Sequence, residues 1–315
     1  MKNIVIIGVG QLGSRHLQAL ALYEKELDIY LVDPQQESLQ QGKKRFEEVN
    51  RFKNKRLYFR NKIDDLPTII DFAVIATNSL QRLMVLKELV THSSVNYVLL
   101  EKFLFPNVEE YVEAHKLITE NGIKAYVNCA RRMWPDYQKI RDEIHREANI
   151  KVTVDGENWS LGSNAIHFLD LFFYFTGEQD ITMNTSKLDR GLLNNKREGY
   201  VEFSGTLQGV TTKGNILHLT SALSNKVTTE ITIESNEKKY IIHEAQQIME
   251  IFNQGQMNKT PFRLFYQSSL TNQVLEQFDR HGTCDLVSFE ESTKYHLILL
   301  KAFNSVLGER EGAIT

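Results

Sequence analysis

Three glycines near the amino terminus have the types and spacing that can hold a pyrophosphate. They directly follow the apolar run Ile4–Ile7, so a glycine-rich turn stands between a strand and the start of a helix. Gly8 permits the tight turn, and Gly10 lets the backbone approach the phosphates. Gly13 lets the helix, whose amino-terminal dipole favours an anion, pack close to the strand. The pattern predicts a nucleotide cofactor, and its expected contacts in this turn are Gly8, Gly10, Gln11, Leu12 and Gly13.

An acidic residue, Asp33, closes the second predicted strand at 29–32. At this distance from the glycines a carboxylate can accept hydrogen bonds from the adenosine ribose hydroxyls. The next three residues are uncharged and no Arg or Lys occurs before Lys43, so no nearby cation is placed to neutralise a 2′-phosphate. The sequence therefore favours NAD over NADP. A glycine turn that serves only packing, with Asp33 as an ordinary surface acid, is the alternative.

Strands and helices alternate along the first 130 residues. After the first two strands, a helix is predicted from 35 to about 50. Further strands are predicted at 57–59, 97–100 and 125–129, and the segment 71–78 is predicted as a buried strand that runs into a loop. Asn107 and Glu110 predict a capping box at the start of a helix that Gly122 closes. The alternation predicts a doubly wound parallel sheet, which is a Rossmann α/β domain over residues 1–130.

The pattern changes after about residue 150. Helices are predicted around 164–176 and 290–306. The region between them is rich in β-branched and aromatic residues, with predicted strands at 151–154, 199–207, 216–223, 227–234 and 239–243. Turn residues such as Gly214 and Ser235–Asn236 separate several of these strands, which favours an antiparallel meander. We expect an α+β domain over residues 131–315 with a mainly antiparallel sheet.

Length and composition exclude several classes of protein. With 315 residues, of which 42% are hydrophobic, the chain is long enough for two domains. A formal net charge of -3 without a basic block argues against a nucleic-acid or membrane partner. Cys129 and Cys284 lack the spacing of a disulfide framework, and no cluster of ligand residues completes a metal site. A strand that starts close to Met1 leaves no room for a signal peptide, so we expect a cytoplasmic protein.

Five short motifs also occur in a characteristic order. They are Gly8–Gly13 followed by Arg15-His16, then Ile75-Ala76-Thr77, Glu101-Lys102, Asn128–Arg132 with Pro135, and His167–Asp170. With these motifs the chain resembles the glucose-fructose oxidoreductase/inositol dehydrogenase family, often called Gfo/Idh/MocA. The resemblance implies a Rossmann domain followed by an open-faced sheet domain, with a sugar-like or cyclitol-like small molecule bound between them. It also implies a homo-oligomer, a dimer or tetramer, formed through that sheet.

The resemblance implies catalytic roles for Lys102 and His167 beside the nicotinamide. A histidine suits the removal of a hydroxyl proton, and a lysine near the same oxygen can stabilise developing negative charge. Asp170 lies three residues after His167 on one helix face, so its carboxylate can orient the imidazole. A hydrogen-bonded core histidine is the alternative for His167, and an ordinary exposed lysine is the alternative for Lys102. Beyond the glycine turn and Asp33, the expected cofactor contacts are Ala76, Thr77, Asn78, Glu101 and Lys102.

The expected substrate contacts follow from the same motifs. They are Arg132, Trp134, Ser163, Asn164 and His167. Arg131, Arg132 and Trp134 follow the last strand of the first domain, where they suit an anionic or sugar substrate, and packing explains them equally well.

The chain also departs from the family pattern. Phe103 and Asn78 stand where prolines are usual, and Arg82 stands where a histidine often occurs. Ser163 replaces the first acid of the motif that ends in His167 and Asp170, although its hydroxyl can still bond a substrate hydroxyl.

Two functions are consistent with these residues. The first is an NAD-dependent oxidoreductase that acts on a hydroxyl or ketone carbon of a sugar, cyclitol or nucleotide-sugar. The second is an NAD(H)-binding regulatory or scaffold protein of the same fold with impaired catalysis, which the loss of an acid at Ser163 would explain. The pair Lys102 and His167 favours the first function, because a protein without the reaction has no chemical reason to keep both.

Overall fold

A computed structural model of the protein describes residues 1–144, 149–189, 191, 193–194, 199–308 and 313–314. The chain divides into two compact units. The first contains Met1–Ala130 and Phe265–Glu290, and the second contains Arg131–Leu264 and Glu291–Thr315.

The first unit is built on a parallel sheet with the strand order β3-β2-β1-β4-β5-β6. These strands are β1 (Lys2–Ile7), β2 (Leu27–Val32), β3 (Lys55–Arg60), β4 (Ile69–Ile75), β5 (Ser94–Leu100) and β6 (Lys124–Val127). The helices between them are α1 (Gln11–Ala21), α2 (Gln36–Val49), α3 (Ser79–His92) and α4 (Val108–Glu120). The strand order reverses between β1 and β4, and sheets of this kind bind their ligands at that point.

The predicted Rossmann domain is confirmed in this unit. The apolar runs of β1 and β4 are buried along most of their length, as parallel strands inside a layered domain must be. The capping box at the start of α4 is confirmed as well, because the main-chain N–H of Asn107 donates to Glu110 at 3.0 Å. The strand that was predicted to run into a loop over 71–78 is confirmed, since β4 ends at Ile75 and Ala76–Asn78 lie in the loop.

The second unit is built on an eight-stranded sheet with the order β16-β15-β14-β13-β7-β12-β11-β8. The strands of this sheet are β7 (Lys151–Glu157), β8 (Thr182–Leu188), β11 (Gly205–Val210), β12 (Ile216–Ala222), β13 (Thr228–Glu234), β14 (Lys238–His243), β15 (Ile248–Asn253) and β16 (Gln256–Pro261). Two further strands, β9 (Leu193–Asn194) and β10 (Val201–Glu202), form a separate two-stranded sheet. The helices of this unit are α5 (Pro135–Ile144), α6 (Leu161–Thr176) and α8 (Phe289–Leu307). Every neighbouring pair in the large sheet is antiparallel except β7 with β12, so the predicted mainly antiparallel sheet is confirmed.

The two faces of this sheet differ in burial. On one face, Val152, Leu219 and Ile231 are buried. A row of half-exposed residues crosses the other face, and it contains Gln208, His218, Thr153, Thr232, Ile241 and Glu250. The open-faced sheet expected from the resemblance is therefore present.

One strand prediction in this unit is wrong. The segment 199–207 was predicted as a single strand, but β10 ends at Glu202 and β11 begins at Gly205. Gly205 has a φ of +92°, and a Cβ there would lie 2.5 Å from the carbonyl oxygen of Lys187. This glycine therefore separates the two strands, because it adopts a backbone conformation that other residues avoid.

The segment Phe265–Glu290 differs from the predicted boundary, which placed everything after residue 130 in one domain. It contains α7 (Thr271–His281), which packs against α1, and β17 (Val287–Ser288), which pairs antiparallel with β6. The segment thus supplies the seventh strand of the first sheet. The helices of the described ranges all fall short of the length and apolar character needed to cross a membrane.

Candidate functional site

The glycine turn leaves open space at the position where a phosphate would approach. Gly8 has a φ of +85°, and a Cβ on Gly13 would lie 1.8 Å from the carbonyl oxygen of Gly8. These two glycines are therefore required by the turn and by the packing of α1 on it. In contrast, apart from Gly10 and its two neighbours in the chain, no heavy atom of the described residues lies within 4 Å of the position that a Cβ of Gly10 would occupy. The turn has the shape that a pyrophosphate requires.

Asp33 is buried beside this turn, at the end of β2. Its Oδ2 accepts a hydrogen bond from the main-chain N–H of Val9 at 2.8 Å, and its Oδ1 accepts one from Gln35 at 2.9 Å. An ionised carboxylate has about four acceptor positions, so two stay available for ribose hydroxyls. The carboxylate is thus fixed in orientation before any ligand binds.

The first turn of α1 carries Gln11 and Leu12, both of which are exposed. Arg45 of α2 donates from Nη2 to Oε1 of Gln11 at 2.8 Å. A cation at the turn was not predicted, because Arg45 reaches the turn only when α2 packs along α1. Its hydrogen bond with Gln11 holds the guanidinium against the helix.

Three predicted cofactor contacts form the loop after β4. The main chain of Ala76 lies 3.0 Å from the position that a Cβ of Gly8 would occupy, so it packs directly against the glycine turn. Asn78 caps α3 by accepting from the N–H of Gln81 at 3.1 Å. Thr77 Oγ1 is buried and has no hydrogen-bond partner among the described residues. A buried hydroxyl in this state is expected where a ligand completes the site.

Glu101, at the end of β5, belongs to a closed ring of buried hydrogen bonds. His16 Nε2 donates to its Oε1 at 2.8 Å, and Asn128 Nδ2 donates to the same oxygen at 2.6 Å. Thr271 Oγ1 lies 2.8 Å from His16 Nδ1, and Gln267 Nε2 donates to Thr271 at 2.9 Å. Asn128 also donates to Gln267 Oε1 at 2.8 Å, which closes the ring.

His16 Nε2 donates its proton to the carboxylate of Glu101, and Nδ1 of the same ring is hydrogen-bonded to the hydroxyl of Thr271. Burial alone would raise the pKa of Glu101, but the hydrogen bond and charge of His16, the hydrogen bond of Asn128 and the nearby charge of Lys102 lower it. Glu101 is therefore an ionised side chain inside the first unit.

Lys102 follows Glu101 directly and is half-buried at the carboxyl edge of the sheet. The peptide bond between Lys102 and Phe103 is cis. Because the carboxyl ends of neighbouring parallel strands meet at one edge, Lys102 lies at the same edge as Thr77 and Gly10. The first unit thus brings one predicted catalytic residue to the edge that carries the predicted cofactor contacts.

In the second unit, α6 carries the predicted motif residues. Asn164 and His167 are half-buried on one face of this helix, whereas most of their neighbours in α6 are buried. The Asn164 amide donates to the carbonyl oxygen of Trp159 at 2.7 Å. The half-exposed position of His167 argues against a core histidine and is compatible with the predicted acid–base role, which stays a prediction.

Asp170 is fully buried on the inner side of α6 and forms an ion pair with Arg132. Arg132 Nε donates to Asp170 Oδ2 at 2.8 Å, while Oδ1 accepts no hydrogen bond within the described part of the chain. Burial raises the pKa of Asp170 to about 6, although the charge and hydrogen bond of Arg132 act in the opposite direction. Arg132 therefore contacts a buried residue of its own unit. The role of Arg132 in substrate binding stays a prediction.

Trp134 is also buried in the second unit. Its ring stacks on Tyr137 at 5.8 Å between centroids, and the guanidinium of Arg131 lies 5.5 Å from its centroid. Arg131 also forms a bidentate ion pair with Glu244, with hydrogen bonds of 2.8 and 2.7 Å. These contacts favour the packing alternative for Trp134.

Ser163, which stands where the family has an acid, contacts a carboxylate supplied by β10. Ser163 Oγ donates to Glu202 Oε2 at 2.7 Å, and the N–H of Gly162 donates to the other carboxylate oxygen. Glu202 is buried. It caps the amino terminus of α6 from a distant part of the chain, because its carboxylate accepts from an N–H of the first turn of this helix. Because the hydroxyl proton points to Glu202, Ser163 can only accept a hydrogen bond from a substrate hydroxyl.

A family model described as an oxidoreductase family with an NAD-binding Rossmann fold matches residues 2–129. Over these residues, the resemblance to the Gfo/Idh/MocA family is therefore confirmed. The match covers the glycine turn, Asp33, Thr77 and Lys102, which are the residues that the first unit places along one edge of its sheet.

Solved structures of similar fold extend over both units. UDP-N-acetylglucosamine 3-dehydrogenase GnnA from Acidithiobacillus ferrooxidans is 14% identical, with 96% of each chain covered and a TM-score of 0.71. An oxidoreductase from Agrobacterium radiobacter in complex with NAD+, L-tartaric acid and magnesium is 15% identical, with 99% of this chain and 98% of that chain covered and a TM-score of 0.73. The super-repressor mutant of Gal80p from Saccharomyces cerevisiae is 13% identical, with 97% and 96% covered and a TM-score of 0.72. No curated protein matches the sequence significantly.

The Gfo/Idh/MocA resemblance left several site residues unidentified. Gln267 and Thr271 were not predicted as site residues, because they lie in the late segment Phe265–Glu290 that belongs to the first unit. The capping role of Glu202 was not predicted, because a single glutamate in a β-rich segment gives no local indication that it caps a helix. The usable signals were His16, Glu101 and Asn128, which lie in quoted motifs and are members of the ring. Among the residues that the structure describes, no group of three or more His, Cys, Asp or Glu side chains is arranged to hold a metal ion.

Proposed function

We propose that the protein is an NAD-dependent oxidoreductase that transfers a hydride between the nicotinamide and a hydroxyl or ketone carbon of a sugar, cyclitol or nucleotide-sugar. The observation that carries the proposal is the edge of the first sheet. The open glycine turn at Gly10, the unsatisfied hydroxyl of Thr77 and the ammonium of Lys102 follow β1, β4 and β5 in that order. This is the edge at which sheets of this strand order bind dinucleotides.

In this reaction the cofactor would exchange the hydride, and residues of the chain would exchange the proton and stabilise charge. When bound, NAD supplies the carbon that accepts or returns the hydride. Lys102 stabilises the negative charge that develops on the substrate oxygen and exchanges a proton with it. The buried, ionised Glu101 lies next to Lys102 and favours its charged form. The resemblance assigns a second acid–base role to His167 and a supporting role to Asp170, and we retain both as proposals.

A substrate panel tests this function. The purified protein is incubated with NAD and with individual sugars, cyclitols and nucleotide-sugars, and the formation of NADH is followed by its absorbance. Reduction of NAD by at least one member, at a rate that saturates with its concentration, is the expected result. Binding of NADH without turnover on any member would contradict the proposal.

The second candidate is a cofactor-binding regulatory or scaffold protein. Two observations favour it: Ser163 replaces an acid of the family motif, and the fold is shared with a super-repressor form of Gal80p. The same panel separates the two functions, because a regulator would bind NADH and leave every substrate unchanged. The position of Lys102 at the cofactor edge favours the enzyme.

We propose NAD rather than NADP as the cofactor because of Asp33. Its carboxylate is fixed by Val9 and Gln35, and a 2′-phosphate at that position would meet a negative charge. Arg60, at the end of the adjacent strand β3, donates to the carbonyl oxygens of Phe59 and Asp65, so its hydrogen bonds are directed to the main chain.

NADH is expected to bind at least about tenfold more tightly than NADPH, and Asp33→Asn is expected to remove most of this difference. Asparagine keeps the size of the side chain and one acceptor oxygen but removes the charge. Fluorescence titrations of both cofactors measure the ratio, and Asp64→Asn, which removes an exposed acid of the same unit, is the control. Equal affinities of the wild-type protein for NADH and NADPH would refute the role of Asp33.

We also propose that the protein is a homo-oligomer, either a dimer or a tetramer, which associates through the open face of the second sheet. Apolar side chains on that face, such as Ile216, Ile241 and Phe252, are half-exposed. A second copy of the same face would cover them. Light scattering coupled to gel filtration gives the mass, and a mass of one chain at micromolar concentration would refute this part of the proposal.

A further inference from the structure

Arg82 has a buried guanidinium that contacts two separate loops of the first unit. The residue lies on α3 and is 2% exposed. Its Nη2 donates to the carbonyl oxygen of Thr77, and its Nη1 donates to those of Phe103 and Leu104, the last at 2.8 Å. One side chain therefore serves three main-chain acceptors.

The three carbonyl groups belong to the loops that begin where β4 and β5 end. Thr77 lies two residues beyond β4, and Phe103 follows Lys102 directly. Asp33 lies at the end of β2, on the other side of β1, so these two loops face the half of a bound dinucleotide that is remote from the adenosine. Arg82 therefore connects the two loops that flank the expected nicotinamide.

Each loop lacks one proline that the resemblance expects. Asn78 and Phe103 stand where the resemblance expects proline, which fixes one backbone torsion by its ring. A guanidinium is suited to replace that restraint, because it offers five donors in one rigid plane and keeps its charge when buried. A lysine in the same place has donors on a single nitrogen and cannot span three carbonyl groups in this way.

We propose that Arg82 is a positioning residue that fixes the loops after β4 and β5 relative to each other, so that Thr77 and Lys102 meet the same end of the dinucleotide. This inference rests on the proposed cofactor function. It adds a residue of α3 whose side chain acts through the main-chain carbonyl groups of these loops.

The experiment compares Arg82→Lys with Tyr111→Phe. Tyr111 is a matched control because it is also buried and its hydroxyl donates to the carbonyl oxygen of Phe105 at 3.0 Å, in the same loop but beyond the residues that Arg82 holds. Amide hydrogen exchange of the cofactor-free protein is measured for the peptides covering 76–80 and 101–105. Affinity for NADH is measured by fluorescence titration, and folding is measured by thermal unfolding.

Arg82→Lys is expected to accelerate exchange in both peptides and to weaken NADH binding about tenfold, while unfolding stays cooperative. Tyr111→Phe is expected to bind NADH within about twofold of the wild-type protein. Three results would overturn the proposal: unchanged NADH affinity in Arg82→Lys, equal losses in both variants, or an Arg82→Lys protein that no longer folds, since the last would make Arg82 a general support of the unit. If the wild-type protein fails to bind NADH, the cofactor function is refuted, and hydrogen exchange alone still decides whether Arg82 fixes the two loops.

Discussion

Lys102→Ala is expected to reduce turnover by about a thousandfold while NADH still binds with an affinity within a few-fold of the wild-type value. Removal of a group that moves a proton or stabilises a developing oxyanion costs about two to four powers of ten in rate. The contacts that we propose for the dinucleotide, at the glycine turn, Asp33 and Thr77, do not involve the lysine side chain. The loss should therefore appear in the chemical step.

The measurement uses the substrate that the panel identifies, with kcat and KM determined for each variant across the pH range. Lys87→Ala is the control, because Lys87 forms a half-exposed ion pair with Glu113 at 2.6 Å and lies on the outside of the first unit. Loss of the pH dependence together with the rate would assign the proton transfer to Lys102. Undiminished turnover in Lys102→Ala would show that the reaction does not use this residue.

The parts of the fold that depend on neighbouring residues were predictable from the sequence. The run Ile4–Ile7, the three glycines and the periodic apolar residues of α1 all act within one βαβ unit, so the Rossmann domain was predicted correctly. The capping box of Asn107 and Glu110 is equally local, because its two members are three residues apart. Local chemistry was sufficient for these features.

The unpredicted features depend on contacts between distant segments. The hydrogen bond between His16 and Thr271 joins residues 255 positions apart, and α7, which supplies Thr271, returns to the first unit after the whole second sheet. The strand β8 (Thr182–Leu188) was missed because its sequence is mostly polar and lacks an apolar alternation. Glu202 and Arg82 likewise show their roles only in three dimensions, since each contacts main-chain groups of another segment.

The same distinction applies to the candidate site. The glycines act through their own backbone geometry, and the carboxylate of Asp33 lies in the same local βαβ unit, so the sequence could predict the cofactor edge. The surroundings of Lys102 were not identifiable, because the ring beneath Glu101 is assembled from α1, β6 and the returning segment. That ring is the second feature with a large expected effect when it is changed.

His16→Leu is expected to lower the free energy of unfolding by about 3 kcal/mol. The variant removes the N–H that donates to Glu101 and leaves this buried carboxylate with the amide of Asn128 as its partner within the ring. Denaturant unfolding at about pH 7 measures the loss. The double variant His16→Leu/Glu101→Gln is the control, because it removes the charge that the single variant leaves poorly compensated, and it should recover about 1 kcal/mol or more relative to additive losses.

The effect of His16→Leu should also depend on pH. In the wild-type protein the pKa of Glu101 is lowered, so the stability contributed by its charge is present above the unfolded-state pKa of 4.5 and is lost as the pH falls through the folded-state value. Without His16, burial dominates and raises the pKa of Glu101, so the folded variant takes up a proton before the unfolded chain does. The stability of the variant therefore increases relative to the wild type as the pH falls from about 7 to about 5. A difference that stays constant or grows over this range would show that Glu101 is not held ionised by His16.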